Sequence, residues 1–164
     1  MAEPPAWPAV TLALAAALLF QTTLGPAFAL RGAVVSWILL LVIWYGFRTG
    51  WGRGLFFGLI AGACEDALSP LTAPAWTFAT ALIGAAAGRA GSTFVAESRA
   101  WLVPFVVVAT LLRYAVFGLI MHLERRPLGE SFHTVLWQSA LDGLVALALM
   151  LVFPQLRGRY AADS

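Results

Sequence analysis

Six apolar stretches, parted by short runs that contain Gly, Pro or Arg, leave this chain few ways to fold. They fall at about residues 7–24, 33–47, 51–68, 75–88, 100–123 and 132–153. Crossing the hydrocarbon core of a bilayer as a helix takes ~20 apolar residues. No water is present there to satisfy backbone amides, so every N–H and C=O must find a partner within the protein, and apolar stretches of this kind become helices. Charged residues make up only 11% of the 164 positions and hydrophobic ones 61%, whereas a soluble domain carries roughly 25% charged residues. The sequence therefore predicts one all-α integral membrane domain over residues 1–164, a compact bundle of about six transmembrane helices with short loops.

The first stretch has one feature of a cleaved leader, the small-residue run Ala27-Phe28-Ala29 after the apolar Leu12–Phe20. A leader also has a positive n-region, and here the preceding segment holds Glu3 and no Lys or Arg. It is read as a retained first helix. All ten basic residues are Arg, and their placement predicts the orientation, because cytoplasmic loops are enriched in them. With the N-terminus inside, the inner loops and tail hold Arg48, Arg53, Arg89, Arg99, Arg157 and Arg159, and the outer loops only Arg31, Arg125 and Arg126. Both termini are thus expected in the cytoplasm, with the chain in the bacterial inner membrane. Trp7, Trp51, Trp76 and Trp101 stand near predicted helix starts, where indole rings prefer the headgroup zone.

Within this frame the polar residues are few. Gly50, Gly54, Gly58 and Gly62 recur every four residues on the third helix. They form one ridge that lets another backbone approach closely, either for packing within the bundle or as a partner interface. Asp66 continues the ridge, with Glu65 beside it. Charged groups at membrane depth are costly and are usually paired, so Gln21, Glu65 and Asp66 are expected either to gather around Arg31 or to cap the helix end at the water interface. Arg113 and Asp142 each lie near the middle of an apolar span, at equal distance from the turn near residues 126–128. An unpaired charge there costs roughly 2.5–3.5 kcal/mol on insertion scales. The two are expected to pair across a helical hairpin, directly or through Gln138, as a structural ion pair.

No chemistry of catalysis is legible. The chain has no G-x-S-x-G, H-E-x-x-H, phosphate-binding glycine loop or C-x-x-C. Asp66 and Asp142 fall at different depths, which disfavours a two-aspartate intramembrane protease. A single cysteine, Cys64, excludes an intramolecular disulfide. His122 and His133 flank the last outer loop without a third ligand and read as interfacial polar residues. Without a basic cluster, nucleic acid is not an expected partner. No metal or cofactor is expected.

The order of these features resembles the MreD family of bacterial rod shape-determining proteins. The likeness runs from Leu18-Leu19-Phe20-Gln21-Thr22-Thr23-Leu24 to Phe153-Pro154-Gln155-Leu156-Arg157. Its most specific parts are Leu39 to Gly50, an apolar helix ending in a basic-glycine turn, and Gly58 to Pro70, a glycine-rich helix closing on Glu65-Asp66-Ala67-Leu68-Ser69. In place of the family's Pro-Asp before the second helix the chain has Val35-Ser36. The resemblance implies a non-enzymatic scaffold of the cell-elongation machinery. It would bind the single-span protein MreC and, through it, influence peptidoglycan synthesis by a RodA-type glycosyltransferase and a penicillin-binding transpeptidase. A rival reading is the substrate-binding subunit of an energy-coupling-factor vitamin transporter, for which Ala9, Ala13 and Ala17 would be the docking stripe. Gln21, Glu65 and Asp66 would then line its pocket.

Overall fold

The computed structural model describes residues 7–29, 32–69, 74–93, 101–125 and 132–152. Among them the elements are helices, α1 (Trp7–Leu19), α2 (Trp37–Thr49), α3 (Trp51–Leu68), α4 (Ala75–Thr93), α5 (Leu102–Leu123) and α6 (Phe132–Val152). A π-helical turn, Phe20–Leu24, and a 3-10 turn, Gly25–Phe28, follow α1. The helices match the expected stretches with shifted ends: α4 continues five residues past the expected Gly88, and α2 starts four residues late. α5 and α6, of 22 and 21 residues, are long and apolar enough to cross a membrane, whereas the apolar helices at Trp7–Thr23 and Trp37–Thr49 are shorter.

Contacts between side chains fix the direction of each helix. Trp7 meets Tyr45 and Phe20 meets Trp37, so α1 and α2 are antiparallel. Tyr45 packs on Phe57 and Gly46 nears Gly54, while Gly54 and Gly58 approach Gly84 and Thr80. Trp76 stacks on Phe117 and Thr80 bonds Arg113, and Thr110 bonds Asp142 while Gly143 nears Val107, so each later pair is antiparallel too. Consecutive helices alternate, and the start of α1 therefore lies at the same end of the bundle as the finish of α6. This is called the near end, and the opposite one, where α3 finishes and α4 begins, the far end.

α3 and α4 are the closest pair. A Cβ on Gly58 would come 2.6 Å from the Thr80 carbonyl oxygen, and one on Gly62 2.6 Å from that of Trp76. Gly54 lies against Gly84, and Gly88 against Gly50 and Trp51. Each four-residue step up α3 is thus matched by a four-residue step down α4. The ridge read from the sequence is filled from end to end by a helix of the same chain, so it is not open to a partner. Gly50 also needs its lack of side chain for another reason: its φ of +87° turns the chain from α2 into α3.

The apolar core lies on either side of this pair. Val10 and Leu14 of α1 pack with Ile38, Val42, Phe57 and Ala61, and Leu39, Ile43, Ile83, Val106, Ala109 and Ala146 join α2, α4, α5 and α6. The alanine stripe of α1 is not its buried face: Ala9 is exposed and Ala13 and Ala17 are half-buried. Leu12, Phe56, Phe78, Val108, Leu119, Leu144 and Leu151 point outward, the arrangement expected of a bundle surrounded by lipid rather than water.

Candidate functional site

The far end gathers the polar side chains that the apolar spans carry. Arg113 is 2% exposed, midway along α5. Its Nη2 donates to Glu65 Oε2 on α3 and its Nε to Thr80 Oγ1 on α4 at 3.0 Å. Thr80 in turn donates to Glu65 Oε2 at 3.3 Å. The guanidinium carbon lies 4.4 Å from the centre of the Trp76 ring, which stacks on Phe117 at 4.1 Å. A desolvated cation over an indole face gains about 2 kcal/mol. Trp76 is therefore a wall of the charge site, and not only a headgroup anchor as its place near a helix start suggests. Trp7, Trp51 and Trp101 are more than half exposed.

The expected partner of Arg113 is held elsewhere. Asp142 is fully buried on α6, where its Oδ1 accepts the Ser36 N–H at 2.8 Å and its Oδ2 the Thr110 hydroxyl at 3.0 Å. Gln138, one turn earlier, does not link Arg113 to Asp142. Its Oε1 accepts the Val34 N–H at 3.0 Å, and its Nε2 donates to the Val34 carbonyl and, at 2.7 Å, to Ser36 Oγ. The physical reason is the start of α2. Residues 33–36 are not helical, and Ser36 (φ −85°, ψ 77°) with the Trp37 N–H to Val35 carbonyl bond of 3.1 Å forms an inverse γ-turn. Backbone of this kind is tolerated at membrane depth only when protein groups satisfy it, and the two polar residues of α6 do so. The 13 residues of α2 rise ~20 Å at 1.5 Å each. Four non-helical residues add at most ~13 Å, which brings this segment to the ~30 Å of a hydrocarbon core.

Glu65 and Asp66 also part company. Glu65 turns to Arg113 and receives Gln21 Nε2 at 3.4 Å. Gln21 lies in the π-helical turn that follows α1, and its Oε1 accepts the Ile38 N–H at 3.4 Å. Asp66 turns to α4, where its carboxylate accepts the N–H groups of Trp76 (3.2 Å) and Thr77 (2.8 Å) and the Thr77 hydroxyl (2.6 Å). It thus caps the helix that follows its own, a favourable place for an anion at a positive helix start. Arg31, around which these acids were expected to meet, lies outside the described residues. His133 accepts the Trp137 indole N–H at 3.1 Å and His122 is exposed.

Between these groups is a half-open cavity of about 280 Å³, whose walls include Gln21, Ser36, Glu65, Trp76, Arg113 and Gln138. Sequence reasoning named Gln21, Glu65, Arg113 and Gln138 but missed Ser36, Thr77, Thr80 and Thr110. Their one available signal was the spacing of hydroxyls within apolar helices: Thr77 and Thr80 share a face of α4, and Thr110 precedes Arg113 by one turn.

A family model described as rod shape-determining protein MreD matches residues 6–158 of the 164. No curated protein and no solved structure matches the chain significantly.

Proposed function

Because the chain belongs to the MreD family of rod shape-determining proteins, we propose that it is a non-enzymatic scaffold of the cell-elongation machinery in the bacterial inner membrane. It binds MreC and, through MreC, bears on peptidoglycan synthesis by a RodA-type glycosyltransferase and its penicillin-binding transpeptidase. The observation that carries this reading is the family match over nearly the whole chain. That match favours the scaffold over the vitamin-transporter subunit.

The bundle is consistent with a part that works by holding a partner. Among the described residues, the charged groups within its spans bond mainly protein groups: Arg113 bonds Glu65 and Thr80, Asp66 bonds the start of α4, and Asp142 bonds Ser36 and Thr110. With the α3 ridge filled by α4, MreC meets an outer face of the bundle. All six helices span the membrane in this reading, and both termini face the cytoplasm. The near end, where Arg48, Arg53 and Arg89 lie, is then the inner side, in keeping with the excess of arginine on cytoplasmic loops.

Co-expression with tagged MreC and capture from mild detergent tests the proposal. Stoichiometric recovery of the chain with MreC is expected, together with loss of rod shape when the chain is depleted. Recovery with paired ATPase subunits in place of MreC would overturn it.

A further inference from the structure

The cavity at the far end is built like a site rather than a packing flaw. Its volume of about 280 Å³ equals that of roughly nine waters at ~30 Å³ each, too much for one bridging water. It reaches from Thr22, Gly32 and Ser69, at or beyond the ends of helical segments, down to Arg113 in the middle of α5. Arg113 uses Nε on Thr80 and Nη2 on Glu65, and its Nη1 has no protein partner among the described residues. No fully buried side-chain nitrogen or oxygen there lacks a partner. In a residue that is 2% exposed and lines the cavity, Nη1 therefore keeps its small accessible surface toward that space. Beside it, Glu65 Oε1 receives only the long 3.4 Å bond from Gln21.

One wall thus offers an unused cationic donor and an under-used anionic acceptor, while the ion pair itself has no net charge. A purely anionic guest would gain the arginine but meet Glu65. A guest with an oxyanion and an ammonium group matches both. We propose that this cavity binds the zwitterionic phosphoethanolamine headgroup of a membrane lipid, with the phosphate toward Arg113 Nη1 and the ammonium toward Glu65 Oε1. With the helices spanning the membrane as proposed, the mouth, framed by Thr22 in the turn after α1 and by Gly32 and Ser69 outside α2 and α3, would open toward the headgroups. This goes beyond the scaffold reading and does not depend on it.

Native mass spectrometry of the full-length protein, stripped of lipid in detergent and titrated with phosphatidylethanolamine or phosphatidylglycerol, tests the site. One phosphatidylethanolamine should bind with at least tenfold preference over phosphatidylglycerol. Gln21→Leu, which removes an amide from the wall, and Thr22→Trp, which fills the mouth from an exposed position, should each weaken binding tenfold or more. Thr22→Trp leaves the Arg113–Glu65 pair untouched, Gln21→Leu removes the long bond to Glu65 Oε1 but not the ion pair itself, and unchanged helical circular dichroism and melting temperature show that the fold is intact. Equal binding of the two lipids, or wild-type binding by a folded Thr22→Trp variant, overturns the proposal. Free O-phosphoethanolamine at millimolar concentration should not displace the lipid, and displacement at that level overturns a lipid as the source. Capture of MreC, scored on the same variants, separates failure of this site from failure of the scaffold.

Discussion

Arg113 on α5 pairs with Glu65 on α3, across the bundle, and not with Asp142 on the adjoining α6. The pair, with Thr80 between, ties three consecutive helices, α3, α4 and α5, at one point. Removing one partner of a buried pair strands the other charge, which costs ~3–5 kcal/mol, while replacing both by apolar residues is often close to neutral. Glu65→Ala should lower unfolding stability in detergent by about that amount, and Glu65→Leu with Arg113→Met should recover most of it. Asp142→Asn, which keeps an acceptor for Ser36 and breaks no hydrogen bond to Arg113, should cost less than ~1.5 kcal/mol. A double variant as unstable as the sum of its single variants would show that the pair is not the unit that matters.

The α3–α4 contact makes a sharper test of packing. Gly58 faces the Thr80 carbonyl and the Ala81 Cα, and a Cβ there would meet backbone that has no rotamer to give. Gly58→Val should separate the helices and cost more than the ~1–3 kcal/mol typical of overpacking. Gly52→Ala, on the same helix but with nothing within 4 Å of the added atom, should be neutral or slightly stabilising through higher helix propensity. Thermal melting of the two variants in one detergent reads the contrast, and similar melting temperatures would contradict the close approach.

What the sequence made legible was what periodicity and transfer energy control. The apolar stretches located the helices, and the spacing of Gly50, Gly54, Gly58 and Gly62 identified a packing face. Its counterpart on α4 escaped notice because Thr80, Gly84 and Gly88 are hidden in a helix most of whose other residues are also small. The choice of partner for Arg113 was not legible, since equal depth on a hairpin leaves Asp142 and Glu65 both within reach of a long side chain. What decided it was the late start of α2. The bare N–H groups at Val34 and Ser36 engaged Gln138 and Asp142, and hydropathy carries no information about that need.

Asp66 acts on a helix other than its own. The first amides of α4 lack intrahelical acceptors, and the carboxylate supplies them to Trp76 and Thr77. Asp66→Ala should cost about 1 kcal/mol, the usual worth of a lost cap. The amides of Trp76 and Thr77 should exchange faster with deuterium, while those later in α4 stay protected. Asp66→Asn, which keeps an oxygen acceptor but loses the charge, should fall between. Uniform loss of protection along α4 would mean that the residue holds the whole helix and not its first turn.

Gln138 offers the most local readout. Its amide pairs with both the N–H and the carbonyl of Val34 and reaches the Ser36 hydroxyl, so it stands in for the helical turn that residues 33–36 do not form. Gln138→Leu keeps the volume but leaves a buried donor and acceptor unmet, a cost of ~1–3 kcal/mol each. Exchange of the Val34 amide should accelerate well beyond that of Leu39 and Val42, whose burial in the core is independent of Gln138. Gln138→Glu retains the acceptor for Val34 N–H but sets a carboxylate against the Val34 carbonyl, and should be worse than Leu if the donor half of the pairing matters. Protection of Val34 that survives in the Leu variant would mean that the segment before α2 is held by Asp142 and Ser36 alone.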